Sequence, residues 1–250
     1  NWSISTSTGV NLFEPGDTPA ENAQFLLFLV AVIAGVDEYQ DLLRISVASA
    51  SNDQRLGGYE APPAIISAFL GTQISSVLEK LEGSRGDDAI RFDAKSVLKM
   101  SGVSQIPSIL LDNTDRNRTS PFAFTGNRFE FRAVGSSDNC AEAMITLCAA
   151  AAEQLTEFKR MVDAKIEQGV KKEKAIYEII KRLIKDCKAV HFDGNGYSDE
   201  WKVEAAKRGL DCETAAPKIF DHYLAPSSLK MFSDTGVFNR TELEARTEVK

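Results

Sequence analysis

The sequence predicts a mixed fold, with strands, loops and helices in the first half and helices filling the second half. Three observations support this prediction. The stretch "NRFEFR" at 127–132 alternates charged and aromatic residues with the period of a β-strand. Turn-forming glycines and prolines interrupt the first half, as in "LGGYEAPP" at 56–63. From Cys140 onward, apolar residues recur with helical spacing.

The first half is predicted to begin with two helices. Thr18 precedes a proline and stands three residues before Glu21, which is the pattern of a capped helix start. We therefore expect one helix from there to about residue 37 and a second over 38–48. The stretch "SNDQRLGGYEAPP" at 51–63 is predicted to be a loop.

Strands and one further helix complete the first half. The run "AIISAFLG" at 64–71 predicts a buried strand, and "TQISSVLEKLEG" at 72–83 predicts a helix. A charged, weakly patterned insertion separates this helix from a strand predicted for "SILLD" at 108–112. The charged strand at 127–132 follows after another loop.

The second half is predicted to consist of helices. A long helix is expected over 139–169 and an amphipathic one over 171–188. A third helix is expected in "SDEWKVEAAKRG", capped by Ser198 and stopped at Gly209. Three shorter helical pieces are expected from there to the end.

Composition excludes some classes of protein. Acidic residues outnumber basic ones by 36 to 29, and the net charge of −7 argues against a nucleic-acid partner. The longest apolar run, eleven residues at 25–35, is too short to span a bilayer, so no membrane association is expected. The four cysteines lack metal-site or disulfide spacing, which favours a reducing compartment and hence the cytoplasm.

The charged strand has two interpretations. Its alternation places Arg128, Glu130 and Arg132 on one face and Phe129 and Phe131 on the other. The charged face could be solvated and form cross-strand ion pairs. It could instead line a site in which two cations and a carboxylate meet anionic substrates and a metal. The strand taken alone leaves both interpretations open.

Other motifs are weak or missing. The stretch "DGNGYSDEWKVE" at 193–204 resembles a calcium-binding loop, but Tyr197 and Ser198 stand where a ligand and a turn-making glycine belong. The chain has two histidines and no GxSxG, so a hydrolase triad is not predicted. Neither GxGxxG nor GxxxxGK[ST] is present, so any nucleotide is held without these glycine loops.

Four motifs taken together identify a resemblance to a known family. In order, "NWS" at 1–3, "SNDQRLGGYEAPP", "DRNRTSP" at 115–121 and "NRFEFRAVGSS" at 127–137 resemble the second half of the catalytic domain of glutamine synthetases, most closely the type III form. The resemblance covers essentially the whole chain and favours the second interpretation of the charged strand. It implies an α+β fold with a curved antiparallel sheet around the active site. Residues 1–138 would complete the catalytic domain, and 139–250 would be its helical C-terminal part.

The resemblance also implies an activity and roles for the strand. In this family, ATP phosphorylates the side-chain carboxylate of glutamate, and ammonia then displaces the phosphate to give glutamine. Phosphoryl transfer concentrates negative charge, which divalent ions and arginines stabilise. Glu130 resembles the carboxylate that binds Mg²⁺ or Mn²⁺ at the ATP phosphates. Arg132 resembles the arginine that engages the reacting carboxylate, and Arg128 resembles an arginine on the ATP side.

Further site residues follow from the same resemblance. Arg55 matches the arginine that pairs with the α-carboxylate of glutamate, for which a two-pronged donor is suited. Glu60 matches the glutamate of a mobile loop that closes over glutamate, attracts ammonium and accepts its proton. Arg118 matches an arginine that contacts the transferred phosphate and so serves both substrate and nucleotide. The residues matching the nucleotide-contacting stretch are Asn1, Trp2 and Ser3.

The expected partners are glutamate, ammonium, ATP and further copies of the chain in a double-ring dodecamer. Because the family's remaining metal ligands would precede Asn1, we expect the chain to be an incomplete, inactive segment. One alternative is a γ-glutamyl ligase that uses a larger amine, and Glu60 favours ammonia over it. Another is a non-catalytic relative, which the retained charged positions argue against.

Overall fold

The structure of the chain is a computed structural model that describes residues 1–58, 60–83 and 119–249. In these residues the α-helices are α1 (Ala23–Glu38), α2 (Gln40–Ser46), α3 (Ala50–Arg55), α4 (Gly71–Gly83), α5 (Ala141–Glu167), α6 (Lys172–Asp186), α7 (Asp199–Lys207), α8 (Pro226–Asp234) and α9 (Arg240–Val249). The strands are β1 (Ala68–Phe69), β2 (Phe122–Phe124) and β3 (Phe129–Phe131). Short 3₁₀ helices span Pro19–Glu21, Ala216–Lys218 and Phe220–Leu224.

The α+β class predicted from the sequence is confirmed. The strands of the described residues form one small sheet in the order β1-β2-β3. The pairing of β2 with β3 is antiparallel, whereas that of β1 with β2 is parallel. The sheet is therefore mixed, where we had expected an antiparallel one. Two parallel strands must be joined by a long crossover connection. The chain between β1 and β2, which includes α4, is long enough to provide one.

The predicted strand at 127–132 is confirmed over Phe129–Phe131. Phe129 is fully buried and stacks on Phe122 of β2, with ring centroids 4.5 Å apart. The chain start lies along its other edge, where Trp2 forms an antiparallel bridge with Phe129. Aromatic pairs of this kind stabilise by about 0.5–1.5 kcal/mol beyond the area they bury. The aromatic face thus anchors β3 and fixes which way its charged face points.

Helix α5 packs against several other helices. It contacts α1, α2, α6 and α8. A run of alanines at 149–152 permits close approach, and a Cβ atom added to Gly35 of α1 would lie 3.3 Å from the carbonyl oxygen of Ala150. The small residues of α5 therefore allow α1 to pack closely on it.

The first helix begins later than predicted. The side chain of Thr18 makes no capping hydrogen bond, and Pro19–Glu21 forms only a 3₁₀ turn. Asn22 caps α1 instead, since its Oδ1 accepts a hydrogen bond from the backbone N–H of Phe25 at 3.0 Å. Its Nδ2 also donates to the carbonyl oxygens of Glu14 and Pro15. Asparagine caps better here because it satisfies the helix end and the preceding loop at once.

Two further boundaries differ from the prediction. The predicted loop at 51–63 begins with α3, because Ser49 accepts a hydrogen bond from the N–H of Asn52 at 3.2 Å and so caps a short helix. The predicted strand at 64–71 is reduced to Ala68–Phe69, although its neighbours are buried. The strand predicted at 108–112 lies outside the described residues.

The long helices predicted for the second half are confirmed. Ser198 caps α7 by accepting a hydrogen bond from the N–H of Trp201, and Gly209 ends this region with a positive φ of 82°. Apolar residues of α6 and α7 join the core cluster that contains Phe129. Within the described part of the chain, no helix combines the length and the apolar character needed to cross a membrane.

Candidate functional site

Glu130 of β3 and Arg132, the residue that directly follows this strand, have side chains in direct contact. Nε of Arg132 donates a hydrogen bond to Oε2 of Glu130 at 3.2 Å, and their side chains are 12% and 19% exposed. A terminal nitrogen of Arg132 also donates to the hydroxyl of the buried Thr119. Arg128, at the start of the same face, is exposed. The strand therefore presents a carboxylate and a guanidinium side by side, each held in place and each partly open to solvent.

The segment before β2 is fixed beneath this face. The backbone N–H of Arg132 donates to the carbonyl oxygen of Pro121 at 2.7 Å. The hydroxyl of buried Ser120 receives a hydrogen bond from that of Ser67 at 2.9 Å and donates to the carbonyl of Phe192 at 2.7 Å. These bonds hold Thr119 where it contacts Arg132. Arg118, the predicted phosphate-contacting residue, lies outside the described residues.

The chain start lies beside β3. Trp2 exchanges two backbone hydrogen bonds with Phe129, at 2.8 and 2.9 Å. Because side chains alternate along both segments, Asn1 and Ser3 lie on the same side of the sheet as Glu130. The indole ring of Trp2 faces the other way, is buried, and packs against Phe13. The predicted contact of these three residues with a nucleotide stays a prediction.

The two predicted glutamate-binding residues of the 51–63 stretch lie close together. Arg55 is the last residue of α3, and its NH1 donates to Oδ1 of Asn52 at 2.9 Å. Its Nε lies 3.9 Å from Oε2 of Glu60, whose side chain is 73% exposed. At such exposure an ion pair contributes little to stability. The contact nevertheless places the cation and the carboxylate on one side of the loop.

The loop that carries Glu60 is a narrow turn with fixed ends. The N–H of Gly57 donates to the carbonyls of Ala61 and Pro62 at 3.2 and 3.1 Å, and its φ of +78° suits glycine. At Gly58, a Cβ atom would lie 3.0 Å from the carbonyl oxygen of Gln54, so a larger residue would crowd the turn. From the other side, the hydroxyl of Tyr197 donates to the carbonyl of Ala61.

Two residues that the sequence did not single out hold α3 in place. Asn52 is 1% exposed, and its side-chain amide donates hydrogen bonds to two backbone carbonyl oxygens, one earlier and one much later in the chain. Asp53 accepts a hydrogen bond from Arg44 at 2.9 Å and another from the N–H of Ala216 at 2.9 Å. The available signal was Arg44 itself, a charged residue within the apolar pattern of "DLLRIS", because a buried cation needs a partner.

A serine, a histidine and an aspartate meet elsewhere in the structure. Ser75 and Asp193 both contact Nε2 of His191, at 3.0 and 3.1 Å, and they also bond to each other. A nucleophilic triad needs its serine and its aspartate on different ring nitrogens of the histidine. Asp193 also accepts hydrogen bonds from the N–H groups of Leu70 and Gly71 at the start of α4. The cluster therefore secures a helix start and does not have the arrangement of a triad.

This cluster makes stability depend on pH in the acid range. Burial disfavours the charged form of Asp193, but hydrogen bonds from His191, Ser75 and the N–H of Leu70 outweigh it and lower the pKa from 3.8 to about 2. Since the unfolded chain then binds more protons than the folded one, the stabilisation is complete above pH 4 and is lost as pH falls to 2.

We expect Asp193→Asn to remove the contribution to stability that is lost at acid pH. After allowance for solvent screening, the variant should lose about 1–2 kcal/mol of unfolding free energy at pH 7 and depend less on pH between 4 and 2. Denaturant unfolding at several pH values measures both effects. Asp17→Asn, at an exposed position of the first half, is the matched control. Equal pH profiles for wild type and Asp193→Asn would contradict the expectation.

One group of side chains in the described residues could together hold a metal ion. Ligand atoms of Asp41, Asp211 and His222 all lie within 4.8 Å of one another. Nδ1 of His222 is 3.3 Å from Oδ2 of Asp41, and burial, together with the charge of Asp211, raises the pKa of Asp41 against the opposing effect of His222. The group joins α2 to the 3₁₀ helix at Phe220–Leu224. Glu130, the predicted metal ligand, does not belong to it.

Comparison with known proteins gives a consistent result. A family model of the glutamine synthetase C-terminal domain matches residues 175–250. A glutamine synthetase of Bacteroides fragilis (strain YCH46) is 51% identical to all 250 residues of this chain, which cover 34% of that relative. A glutamine synthetase of Butyrivibrio fibrisolvens is 43% identical, with 34% covered, and a type-3 glutamine synthetase of Dictyostelium discoideum is 42% identical, with 33% covered. The chain matches over its whole length and spans about a third of the length of these relatives.

Proposed function

Because this chain belongs to the glutamine synthetase family, we propose that it forms part of an enzyme that joins ammonia to glutamate. ATP would phosphorylate the side-chain carboxylate of glutamate, and ammonia would displace phosphate from the resulting γ-glutamyl phosphate. The observation that best supports this role is the contact between Glu130 and Arg132 on one partly exposed face. A carboxylate beside a guanidinium is suited to bring a metal-bound phosphate and a carboxylate substrate together.

Arg132 would bind the reacting carboxylate and stabilise the charge that develops during phosphoryl transfer. Its bonds to Thr119 and Glu130 fix the guanidinium before substrate arrives. Because the guanidinium is already in place, it need not rearrange during the reaction. Preorganised donors of this kind usually contribute most to the stabilisation of charge in a transition state. Arg128 and the chain start would lie on the nucleotide side, and Arg118 would contact the transferred phosphate.

The donor type at Glu130 fits a divalent ion. A carboxylate oxygen is a ligand that Mg²⁺ and Mn²⁺ accept, and Mg²⁺ is often held by one or two carboxylates together with substrate phosphates. When bound, the ion would neutralise charge on the phosphates of ATP. Glu130 would be one of its ligands, and the hydrogen bond from Arg132 would orient that carboxylate.

Arg55 and Glu60 would act on the glutamate side. The planar fork of Arg55 suits the α-carboxylate of the substrate. Glu60, exposed near the tip of a glycine-containing turn, could move over the bound substrate, attract ammonium and accept its proton. Closure would also shield the acyl phosphate from water.

Residues 1–138 would contribute to the catalytic domain, and 139–250 would form its helical C-terminal part. The enzyme would be cytoplasmic and assemble as a double-ring dodecamer. Since the chain spans about a third of its relatives' length, the activity is proposed for the whole enzyme and not for residues 1–250 alone.

The test is glutamine formation by the full-length enzyme. Supplied with glutamate, ammonium, ATP and Mg²⁺, it should release phosphate and glutamine in equal amounts. Glu60→Ala should reduce the turnover about 100-fold, the range of a lost acid–base group, while the affinity for ATP stays nearly unchanged. The reason is that Glu60 would act after the nucleotide has bound.

The matched control is Glu167→Ala, which removes an exposed glutamate at the end of α5. It should leave turnover unchanged. An equal loss of ATP affinity and turnover in Glu60→Ala would contradict the proposed role of Glu60. Ligation of a larger amine in preference to ammonium would contradict the proposed substrate.

A further inference from the structure

Asn52 is a buried polar residue that contacts Arg55 of the proposed glutamate site. Its side chain is 1% exposed, and its Nδ2 donates hydrogen bonds to the carbonyl oxygens of Val47 at 2.6 Å and Ala133 at 2.8 Å. Its Oδ1 accepts a hydrogen bond from NH1 of Arg55 at 2.9 Å. The partners fix the orientation of the amide, because a flipped side chain would put an oxygen against two carbonyls and an NH₂ group against a guanidinium.

These bonds join two parts of the proposed site. Ala133 directly follows Arg132 and is buried with Val47 in a small apolar cluster. Arg55 stands one helical turn after Asn52 on α3. The amide of Asn52 thus connects the arginine at the end of α3 to the end of the strand that carries Glu130 and Arg132.

The connection matters because only three carbon atoms separate the two carboxylates of glutamate, which limits how far apart they can lie. If Arg55 binds one and Arg132 binds the other, the separation of the two guanidinium groups decides whether the reacting carboxylate is in place. Misplacement by about 1 Å can cost on the order of 100-fold in rate. A buried, fully bonded amide is a rigid link for this purpose.

We propose that Asn52 is a positioning residue for glutamate, which holds the fork of Arg55 in register with β3. This inference rests on the proposed function. Asn52 itself would not touch the substrate. It would act only through Arg55, and its loss would be felt by glutamate and not by ATP.

The experiment compares Asn52→Ala with wild type in the full-length enzyme. The KM for glutamate should rise about 10- to 100-fold, while the KM for ATP should change less than about 2-fold. Asn22→Ala is the matched control, because Asn22 also makes one hydrogen bond through Oδ1 and two through Nδ2, but at the start of α1. It should lower the melting temperature without changing the KM for glutamate.

A double-mutant cycle separates positioning from general damage. If Asn52 acts through Arg55, then Asn52→Ala combined with Arg55→Lys should have nearly the same KM for glutamate as Arg55→Lys alone. Additive effects of the two substitutions would overturn the proposal. So would a parallel rise of both KM values, or the same response in Asn22→Ala.

A second variant covers the case in which Asn52→Ala does not fold. In Asn52→Asp, the carboxylate can still pair with Arg55 but is repelled by the carbonyls of Val47 and Ala133, so the KM for glutamate should again rise at unchanged KM for ATP. An unchanged KM for glutamate in a folded Asn52→Asp enzyme would overturn the proposal. A wild-type enzyme that makes no glutamine would instead overturn the proposed function, so the two failures are distinguishable.

Discussion

Asp53→Ala is expected to lower the free energy of unfolding by about 3–5 kcal/mol, the usual cost of leaving one member of a buried ion pair without its partner. Arg44 is 1% exposed. Its NH2 group donates hydrogen bonds to Oδ1 of Asp53 at 2.9 Å and to the carbonyl oxygen of Thr214 at 3.1 Å. Its Nε and NH1 are buried without a hydrogen-bond partner in the described structure. Without Asp53, the guanidinium would keep one carbonyl and no compensating charge. Denaturant unfolding of the protein measures the loss.

The matched comparison removes the charge at both ends. Arg44→Leu combined with Asp53→Ala should be more stable than Asp53→Ala alone, because no uncompensated charge is then buried. Asp53→Asn adds a second comparison, since it can still accept the hydrogen bond from the N–H of Ala216. A loss below about 1 kcal/mol in Asp53→Ala, or a double variant less stable than it, would contradict this account of α3.

Arg132→Lys in the full-length enzyme should raise the barrier to phosphoryl transfer by about 2–4 kcal/mol, the usual effect of removing one prepositioned charge donor. Lysine keeps the charge but lacks the planar guanidinium group that donates to Thr119 and to Glu130 at the same time. Single-turnover formation of phosphate measures the step directly. Glu130→Gln should chiefly weaken the binding of Mg²⁺, which a titration of activity against the metal detects.

Arg160→Lys is the control for the arginine substitution. Arg160 is an exposed residue of α5 that pairs with Glu157, so the exchange should not affect turnover. If Arg132→Lys turned over at the wild-type rate and Glu130→Gln had the wild-type response to Mg²⁺, the proposed roles on β3 would be wrong.

Where the sequence pattern was regular, the fold could be predicted from it. The alternation around Glu130 predicted a strand with an aromatic core face, and Phe129 is indeed fully buried. Apolar spacing predicted α5 and α6, and the capping pattern at Ser198 predicted the start of α7. In each case a local signal agreed with the tertiary packing, which is the situation in which sequence patterns are most informative.

The candidate site could be predicted only in part, and the roles assigned to its residues stay predictions. Matching motifs named Arg55, Glu60, Glu130 and Arg132, but nothing local indicated that Asn52 bonds a carbonyl 81 residues further along the chain. The helix α3 was missed because glycines and prolines dominate the stretch that follows it. Its stability comes from the cap at Ser49 and from long-range hydrogen bonds, and neither contribution is reflected in the helix propensities of its residues.

The region at 175–250 and the first half of the chain share one apolar core, so they cannot be treated as independent domains. Residues 175–250 match a separate family model, yet Ile180 and Trp201 from that region lie in the same buried cluster as Trp2 and Phe129. An interior packed at crystal-like density tolerates few changes of shape. Exchanging that region between distant relatives would therefore place a surface of different shape against β3, so we expect the two regions to change together and not as independent modules.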